Sequence, residues 1–212
     1  MAHPLEHQNI VLHFLPSLMT KRVLDCGCGK GIWGYILRSI KNGEDSWMVG
    51  VDLARRYLAH VKRFHIYDDI VLCDARRMPF AKKSFDIVLA SEILEHMPKK
   101  HGLTFLQSLQ EIATERVVVT TPNGYGPQEA LDDVTSQTHL SGWTVGEFRR
   151  AGFRVNGYGF RFLRSRRTPY LYEFLDNVLT PLTFILPQLA GFLVATWTSD
   201  GRESRTRCDE TR

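Results

Sequence analysis

Four residues near the start of the chain combine an acid with closely spaced glycines. Directly after an apolar run, the sequence places Asp25, Gly27, Gly29 and Gly31 at intervals of two. Glycines at this spacing let the backbone turn sharply and approach a bound ligand closely. A pyrophosphate at a helix N-terminus favours amide donors, and a nearby carboxylate would repel it. The loop therefore favours a ligand that is cationic or zwitterionic.

The same spacing separates two classes of nucleotide-binding loop. A dinucleotide fingerprint would require glycines at positions 27, 29 and 32, whereas position 32 is Ile32. A nicotinamide-dependent oxidoreductase is therefore the less favoured alternative.

Strands and helices must position this loop. Along the chain, short apolar runs alternate with helical patterns, and this alternation is typical of βαβ units around a parallel sheet. Strands are predicted over 22–26, 47–52, 69–74, 85–90, 116–121, 153–160 and 192–197. Helices are predicted over 4–19, 32–40, 54–62, 101–114, 144–151 and 169–186. We expect one domain over residues 1–200, with a helical insertion at 168–190 between the last two strands and a disordered tail at 201–212.

The run Asp25-x-Gly27-x-Gly29-x-Gly31 resembles the first motif of class I S-adenosylmethionine-dependent methyltransferases. Further markers follow in the family's order: Val-Gly-Val-Asp at 49–52, Cys-Asp-Ala at 73–75, and Ser-Glu-x-x-Glu-His at 91–96. The resemblance spans residues 21–160 and the last strand. It implies a Rossmann-like, doubly wound sheet of seven strands, mostly parallel with an antiparallel last strand, and helices on both faces.

The resemblance also implies where S-adenosylmethionine would bind. Asp52 would accept from both ribose hydroxyls, Asp74 would accept from the adenine amino group, and the segment after the fourth strand would lie beside the sulfonium. The alternative to ribose binding is that Asp52 caps the next helix, and the alternative to adenine binding is that Asp74 is a turn residue. The full set of expected cofactor-binding residues is Asp25, Gly27, Cys28, Gly29, Gly31, Asp52, Leu53, Asp74, Ala75, Ser91 and Glu92.

Methyl transfer from a sulfonium is an in-line displacement, so alignment of the reactants is the main requirement. A general base is needed only where the acceptor still carries its proton. The candidates are Glu92, His96 and His139, with His139 preferred. A loop histidine bonded to backbone is the alternative for His139, and the resemblance favours a structural or cofactor-side role for the Glu95–His96 pair. We expect no metal to be required.

Composition limits the classes of protein and of partner. Hydrophobic residues make up 43% of the 212 residues and charged residues 24%, which excludes a disordered, collagen-like or coiled-coil chain. A net charge of +4 does not favour nucleic-acid binding, which needs a concentrated basic face. The four cysteines lack the spacing of a zinc finger and are expected to be free thiols, which favours a cytoplasmic protein. No oligomeric state is predicted.

The positive charge is concentrated late in the chain. Seven arginines and no acidic residue lie between Phe148 and Tyr172, and no charged residue lies from Asn177 to Ser199. A basic rim beside an apolar, proline-broken helix suits an anionic, partly apolar acceptor or an anionic membrane surface contacted through residues 161–190. A solvated surface is the alternative. We therefore predict methyl transfer to a small-molecule or lipid-like acceptor, with a non-catalytic cofactor-binding protein as a further alternative.

Overall fold

The computed structural model describes residues 4–126, 138–160 and 178–199, the first four of them by backbone alone. Its strands are β1 Arg22–Cys26, β2 Trp47–Asp52, β3 Asp69–Leu72, β4 Phe85–Ser91, β5 Ala113–Pro122, β6 Arg154–Phe160 and β7 Ala190–Thr198. They form one sheet in the order β3-β2-β1-β4-β5-β7-β6. β1 to β5 pair in parallel, and β7 runs antiparallel to both β5 and β6. The predicted fold class is confirmed.

Helices cover both faces of the sheet. They are α1 Pro4–Phe14, α2 Ile32–Ile40, α3 Arg55–Arg63, α4 Lys99–Ile112 and α5 Val145–Arg150, and residues 178–185 are also helical. Apolar side chains of α1, α2 and α3 pack on one face, while those of α4 and α5 pack on the other. Among the described residues, no helix is both long enough and apolar enough to cross a bilayer.

Most predicted elements are confirmed, and the differences have local causes. The first helix ends at Phe14, not at residue 19, because Pro16 disfavours helical backbone at the residue before it. The third strand ends at Leu72, because Asp74 caps a short 3-10 helix over Ala75–Arg77. Of the predicted insertion at 168–190, residues 168–177 lie outside the described residues, as does the predicted tail at 201–212. The domain boundaries therefore stay predictions.

The strand order creates a crevice beside β1. Within the sheet β1 lies between β2 and β4, so the chain leaves it in one direction and later returns on the other side. In open α/β sheets, ligands bind at such a switch point, outside the carboxyl ends of the strands. The loops after β1, β2 and β4 meet at this edge of the sheet.

Candidate active site

The glycine loop after β1 has backbone angles that few other residues adopt. Gly27, Gly29 and Gly31 have φ of +79°, +52° and +84°. A Cβ at Gly31 would lie 2.7 Å from the Cδ1 of Ile66. The amides of Gly27 and Cys28 donate to the carbonyl of Val51, at 2.8 and 2.9 Å, which holds the loop against the end of β2. The predicted glycine turn is confirmed.

Asp25 lies beneath this loop and is only 2% exposed. The hydroxyl of Tyr67 donates to its Oδ2 at 2.5 Å. Burial raises the pKa of Asp25 to about 7, against the opposing effect of this hydrogen bond. The acid of the motif is therefore a buried carboxyl group held by a tyrosine that the sequence did not single out.

Asp52 connects the glycine loop to the end of β2. Its Oδ2 accepts from the amide of Gly29 at 2.9 Å, and its Oδ1 accepts from the amide of Ala54 at 2.7 Å. Burial raises its pKa, while these backbone hydrogen bonds favour the charged form. Each carboxylate oxygen has a further lone pair, so the group retains the capacity to accept from a vicinal diol. The neighbouring Leu53 is exposed.

The contacts of Asp74 are those of a turn residue, which is the alternative to a role in adenine binding. Its Oδ1 accepts from the amide of Arg76 at 2.9 Å, and the guanidinium of Arg76 donates to both carboxylate oxygens. The hydrogen bond from that guanidinium is the main cause that lowers the pKa of Asp74. The roles of Asp74 and of the half-buried Ala75 toward adenine stay predictions.

The end of β4 is joined to β5 through hydroxyl groups. The hydroxyls of Ser91 and Thr120 lie 2.9 Å apart, and Thr120 Oγ1 donates to Glu92 Oε1 at 3.0 Å. Glu92 has a φ of +51°, a left-handed conformation that is costly for a side chain with a Cβ. The fold therefore fixes Glu92 at the edge where the glycine loop lies.

Glu95 is buried three residues further on. Its Oε2 accepts from Thr121 Oγ1 at 3.0 Å, while its Oε1 is buried without a hydrogen-bond partner. Burial, followed by the charge of Glu92, raises the pKa of Glu95 well above its usual range. Its carbonyl accepts from the amides of Leu140 and Ser141, so it also fixes the loop that carries His139.

His96 and His139, which are far apart in sequence, lie side by side. Their ring centroids are 4.9 Å apart. The Nδ1 of His96 is 3.1 Å from the carbonyl of Thr138, and that of His139 is 2.6 Å from the carbonyl of Gly126. A carbonyl only accepts, so each Nδ1 carries the proton and each Nε2 is the basic nitrogen. The alternative, a loop histidine hydrogen-bonded to backbone, thus applies to Nδ1 of His139. Its Nε2 remains available as a base.

These histidines and Glu95 also form a possible metal-binding group. One ligand atom from each of Glu95, His96 and His139 lies within 4.8 Å of the others. Two imidazoles and a carboxylate suit divalent transition metals, and three protein ligands leave a position open for a substrate. The expectation of metal-independent transfer therefore stays a prediction.

Several residues at this edge were missed by sequence reasoning. Tyr67 precedes β3 and showed no motif, and Thr120 and Thr121 were treated only as the end of a strand. The available signal for the two threonines was their position, because they follow the apolar run 117–119 of a central strand at the edge where ligands bind.

Comparison with known proteins agrees with this geometry. A family model described as a methyltransferase domain matches residues 23–115. A ubiquinone biosynthesis O-methyltransferase of Hahella chejuensis is 36% identical over 88 residues, which is 39% of this chain and 35% of that protein. A malonyl-[acyl-carrier protein] O-methyltransferase of Legionella pneumophila is 28% identical over 92 residues, 42% of this chain and 31% of that protein. The match thus spans about a third of each relative's length.

The fold is shared over a longer stretch. The crystal structure of an S-adenosylmethionine-dependent methyltransferase from Mesorhizobium loti superposes with a TM-score of 0.62 at 18% identity, covering 91% of this chain and 97% of that one. The comparisons do not support the oxidoreductase alternative. Residues 23–115 are thus similar to a methyltransferase domain, and the chain shares the fold of solved S-adenosylmethionine-dependent methyltransferases.

Proposed function

We propose that this protein transfers a methyl group from S-adenosylmethionine to a hydroxyl oxygen of a small or lipid-like acceptor. The observation that carries the proposal is the group formed by Glu95, His96 and His139 at the edge of the sheet where the glycine loop lies. A basic group is needed where the acceptor is a hydroxyl, and the relative from Hahella chejuensis is named as an O-methyltransferase of ubiquinone biosynthesis.

The chain's own residues have separate tasks in this proposal. S-adenosylmethionine supplies an electrophilic methyl carbon and a sulfide leaving group. Asp52 binds the ribose diol, and the glycine loop lets the backbone approach the cofactor. Nε2 of His139 takes the hydroxyl proton while the acceptor oxygen bonds to the methyl carbon and the carbon–sulfur bond breaks. Glu95 positions the loop of His139 through its carbonyl, and the ring of His96 packs against that of His139.

Substitution of His139 tests this assignment. We expect His139→Ala to lower kcat by about 100-fold or more, since general base catalysis contributes about 10²–10⁴-fold. The dissociation constant of S-adenosylmethionine, measured by titration calorimetry, should stay within about twofold, because no cofactor role is proposed for this side chain. His60→Ala on α3 is the control, since His60 is exposed and distant in the fold. Unchanged turnover of His139→Ala would contradict the proposal.

A metal-assisted version uses the same residues. A divalent cation held by Glu95, His96 and His139 would lower the pKa of a bound hydroxyl and so replace the general base. Calorimetric titration with Mg²⁺, Mn²⁺ and Zn²⁺ separates the two versions, with His139→Ala as the comparison. Binding that His139→Ala abolishes, together with turnover lost in a chelator, would favour the cation. Turnover that is unaffected by the chelator would favour the histidine base.

We also propose that the protein works as a peripheral membrane protein of the cytoplasm, through residues 161–190. Four apolar side chains at helical spacing form what we call the apolar ridge: Val178, Leu182, Ile185 and Leu186, all exposed, with Ile185 at 75%. The opposite side of this helix packs inward, where Phe184 stacks on Phe14 at 5.9 Å between ring centroids.

The segment that follows the ridge is bonded to the end of β5. The side-chain amide of Asn123, which follows β5, donates to the carbonyls of Pro187, Gln188 and Ala190 at 3.1, 3.3 and 2.8 Å. In the sequence, Arg161, Arg164, Arg166 and Arg167 directly follow β6. Basic residues beside an apolar face favour an anionic lipid surface.

Co-sedimentation with vesicles tests this contact. We expect the protein to bind phosphatidylglycerol vesicles more tightly than phosphatidylcholine vesicles at low salt, and Ile185→Asp to weaken that binding by about tenfold or more. Leu103→Asp on α4 is the matched control, since Leu103 is also an exposed apolar residue of a helix. Absence of binding, or equal losses in both variants, would contradict the contact.

A further inference from the structure

The ring of Tyr67 occupies a slot that two glycines leave open. A Cβ at Gly34 would lie 2.5 Å from the Cζ of Tyr67, and a Cβ at Gly50 would lie 2.8 Å from its Cδ2. Any side chain at either position would displace the ring. Gly34 belongs to α2, which follows the glycine loop, and Gly50 belongs to β2, to which the loop is hydrogen-bonded, so the ring lies between these two elements.

The hydroxyl of Tyr67 connects the acid of the loop to the start of α2. It donates to Asp25 Oδ2 at 2.5 Å and accepts from the amide of Gly34 at 3.2 Å. Gly34 lies in the first turn of α2, where amides lack intrahelical partners, and the N-cap Gly31 provides no side-chain acceptor. One phenol group therefore fixes both the carboxylate and the helix N-terminus.

We propose that Tyr67 is a positioning residue for cofactor binding, which holds Asp25 in place and couples the affinity for S-adenosylmethionine to the charge on that carboxylate. This inference rests on the proposed function, since it requires that the glycine loop bind this cofactor. It assigns a role to a residue outside every motif of the chain.

Among the described residues, the groups that affect the pKa of Asp25 include no countercharge. The groups that face it are the Tyr67 hydroxyl, the thiols of Cys26 and Cys28, and the carboxylate of Asp52. With the pKa of Asp25 at about 7, a fraction of the molecules carries a proton there at neutral pH. A bound cation favours the ionised form and lowers this pKa, so binding releases a proton. The affinity for the cofactor should therefore rise as the pH increases through about 7.

Titration calorimetry of S-adenosylmethionine and S-adenosylhomocysteine between pH 5.5 and 8.5 tests the coupling. Tyr67→Phe keeps the ring in its slot and removes a hydrogen bond that favours the charged carboxylate. We expect about tenfold weaker binding at pH 7 and a rise in affinity shifted upward by about one pH unit. In Asp25→Asn the rise should be absent, and adding Tyr67→Phe to this variant should cost no further affinity. The control is Tyr158→Phe in β6, which should behave as the wild type.

Each opposing result has a distinct meaning. Tyr67→Phe could lower the affinity equally in the wild type and in Asp25→Asn. That result would show a purely structural effect on α2 and overturn the inference. A rise in cofactor affinity with pH that Tyr67→Phe does not shift would overturn the inference as well. Titrations of the wild type in buffers of different ionisation enthalpy measure the released proton directly, and no release near pH 7 would overturn the coupling even if a variant failed to fold. No binding of either ligand by the wild type at any pH would instead contradict the proposed function.

Discussion

The cofactor half and the acceptor half of this molecule are built in different ways. The cofactor half comprises the loops after β1 to β4, where each functional residue lies within a few positions of a strand end. The acceptor half comprises residues 94–96, 123–126, 138–144 and 178–190, and its contacts join segments that are far apart in sequence. His96, for example, contacts Thr138 across 42 positions. Tertiary packing thus defines the acceptor half, whereas the cofactor half combines local turn geometry with a few long-range contacts, such as that from Tyr67 to Asp25.

The largest expected effect tests whether the cofactor half depends on its local backbone. Gly31→Val introduces a β-branched residue at a φ of +84° and places a Cβ 2.7 Å from Ile66. We expect the affinity for S-adenosylmethionine to fall by at least about 100-fold, because the loop must move to relieve a backbone cost of about 1–2 kcal/mol plus the clash. Titration calorimetry measures this loss.

The control for that substitution comes from α5. Gly146→Ala meets no atom within 4 Å and should leave the cofactor affinity unchanged. If Gly31→Val kept its cofactor affinity, the loop would tolerate side chains. The cofactor half would then not depend on its local backbone geometry.

These local dependencies explain which features the sequence predicts. The loop Gly27–Gly31 and the position of Asp52 follow from residue types at strand ends, since turn geometry and strand periodicity are short-range properties. The capping box of Thr144 and Glu147 also follows from residue types, and in the structure the carboxylate of Glu147 accepts from the amide of Thr144 at 2.9 Å.

Other features depend on pairings that no local pattern encodes. The bond from Tyr67 to Asp25 spans 42 positions, and that from Thr121 to Glu95 spans 26. Which hydroxyl reaches which carboxylate is decided by strand order and register, so the sequence predicted His96 and His139 as separate candidates without their contact. No local pattern in the sequence indicates that Asp25 is buried.

A smaller effect is expected from the hydroxyl that supports the acceptor half. Thr121→Val keeps the shape of the side chain and removes the hydrogen bond that Thr121 donates to Glu95 Oε2. Because a buried polar group loses its partner, we expect a loss of about 1–3 kcal/mol in the free energy of unfolding and lower turnover. Chemical denaturation and steady-state kinetics measure the two effects. A weaker cofactor affinity in this variant would contradict the separation of the two halves.

The smallest functional effect is expected at the opposite edge of the sheet, far from either half. Asp86 accepts from the guanidinium of Arg22 at 2.9 Å and from Thr114 at 2.9 Å, and the hydrogen bond from Arg22 is the main cause that lowers the pKa of Asp86 to about 2. Asp86→Asn should cost about 1 kcal/mol of stability at pH 7, since the partly exposed pair is screened by solvent. Cofactor affinity and turnover should not change.

The pH dependence of that loss is determined by the direction of the pKa shift. A depressed pKa stabilises the folded state above the unfolded value near 4, and this stabilisation disappears as the pH falls toward 2. The difference in unfolding free energy between the wild type and Asp86→Asn should therefore vanish over this interval. A difference that persisted below pH 2 would show that packing, and not the ion pair, is responsible.

Transfer of a labelled methyl group tests the central claim most directly. The protein is incubated with S-adenosylmethionine labelled in the methyl group and a whole-cell extract that includes the lipids, and the organic phase is then treated with mild base. We predict base-stable label in that phase, as expected for a methyl ether, and its loss in His139→Ala while cofactor affinity persists. Label confined to the protein or nucleic-acid fraction, or no transfer by a wild type that binds the cofactor, would contradict the account.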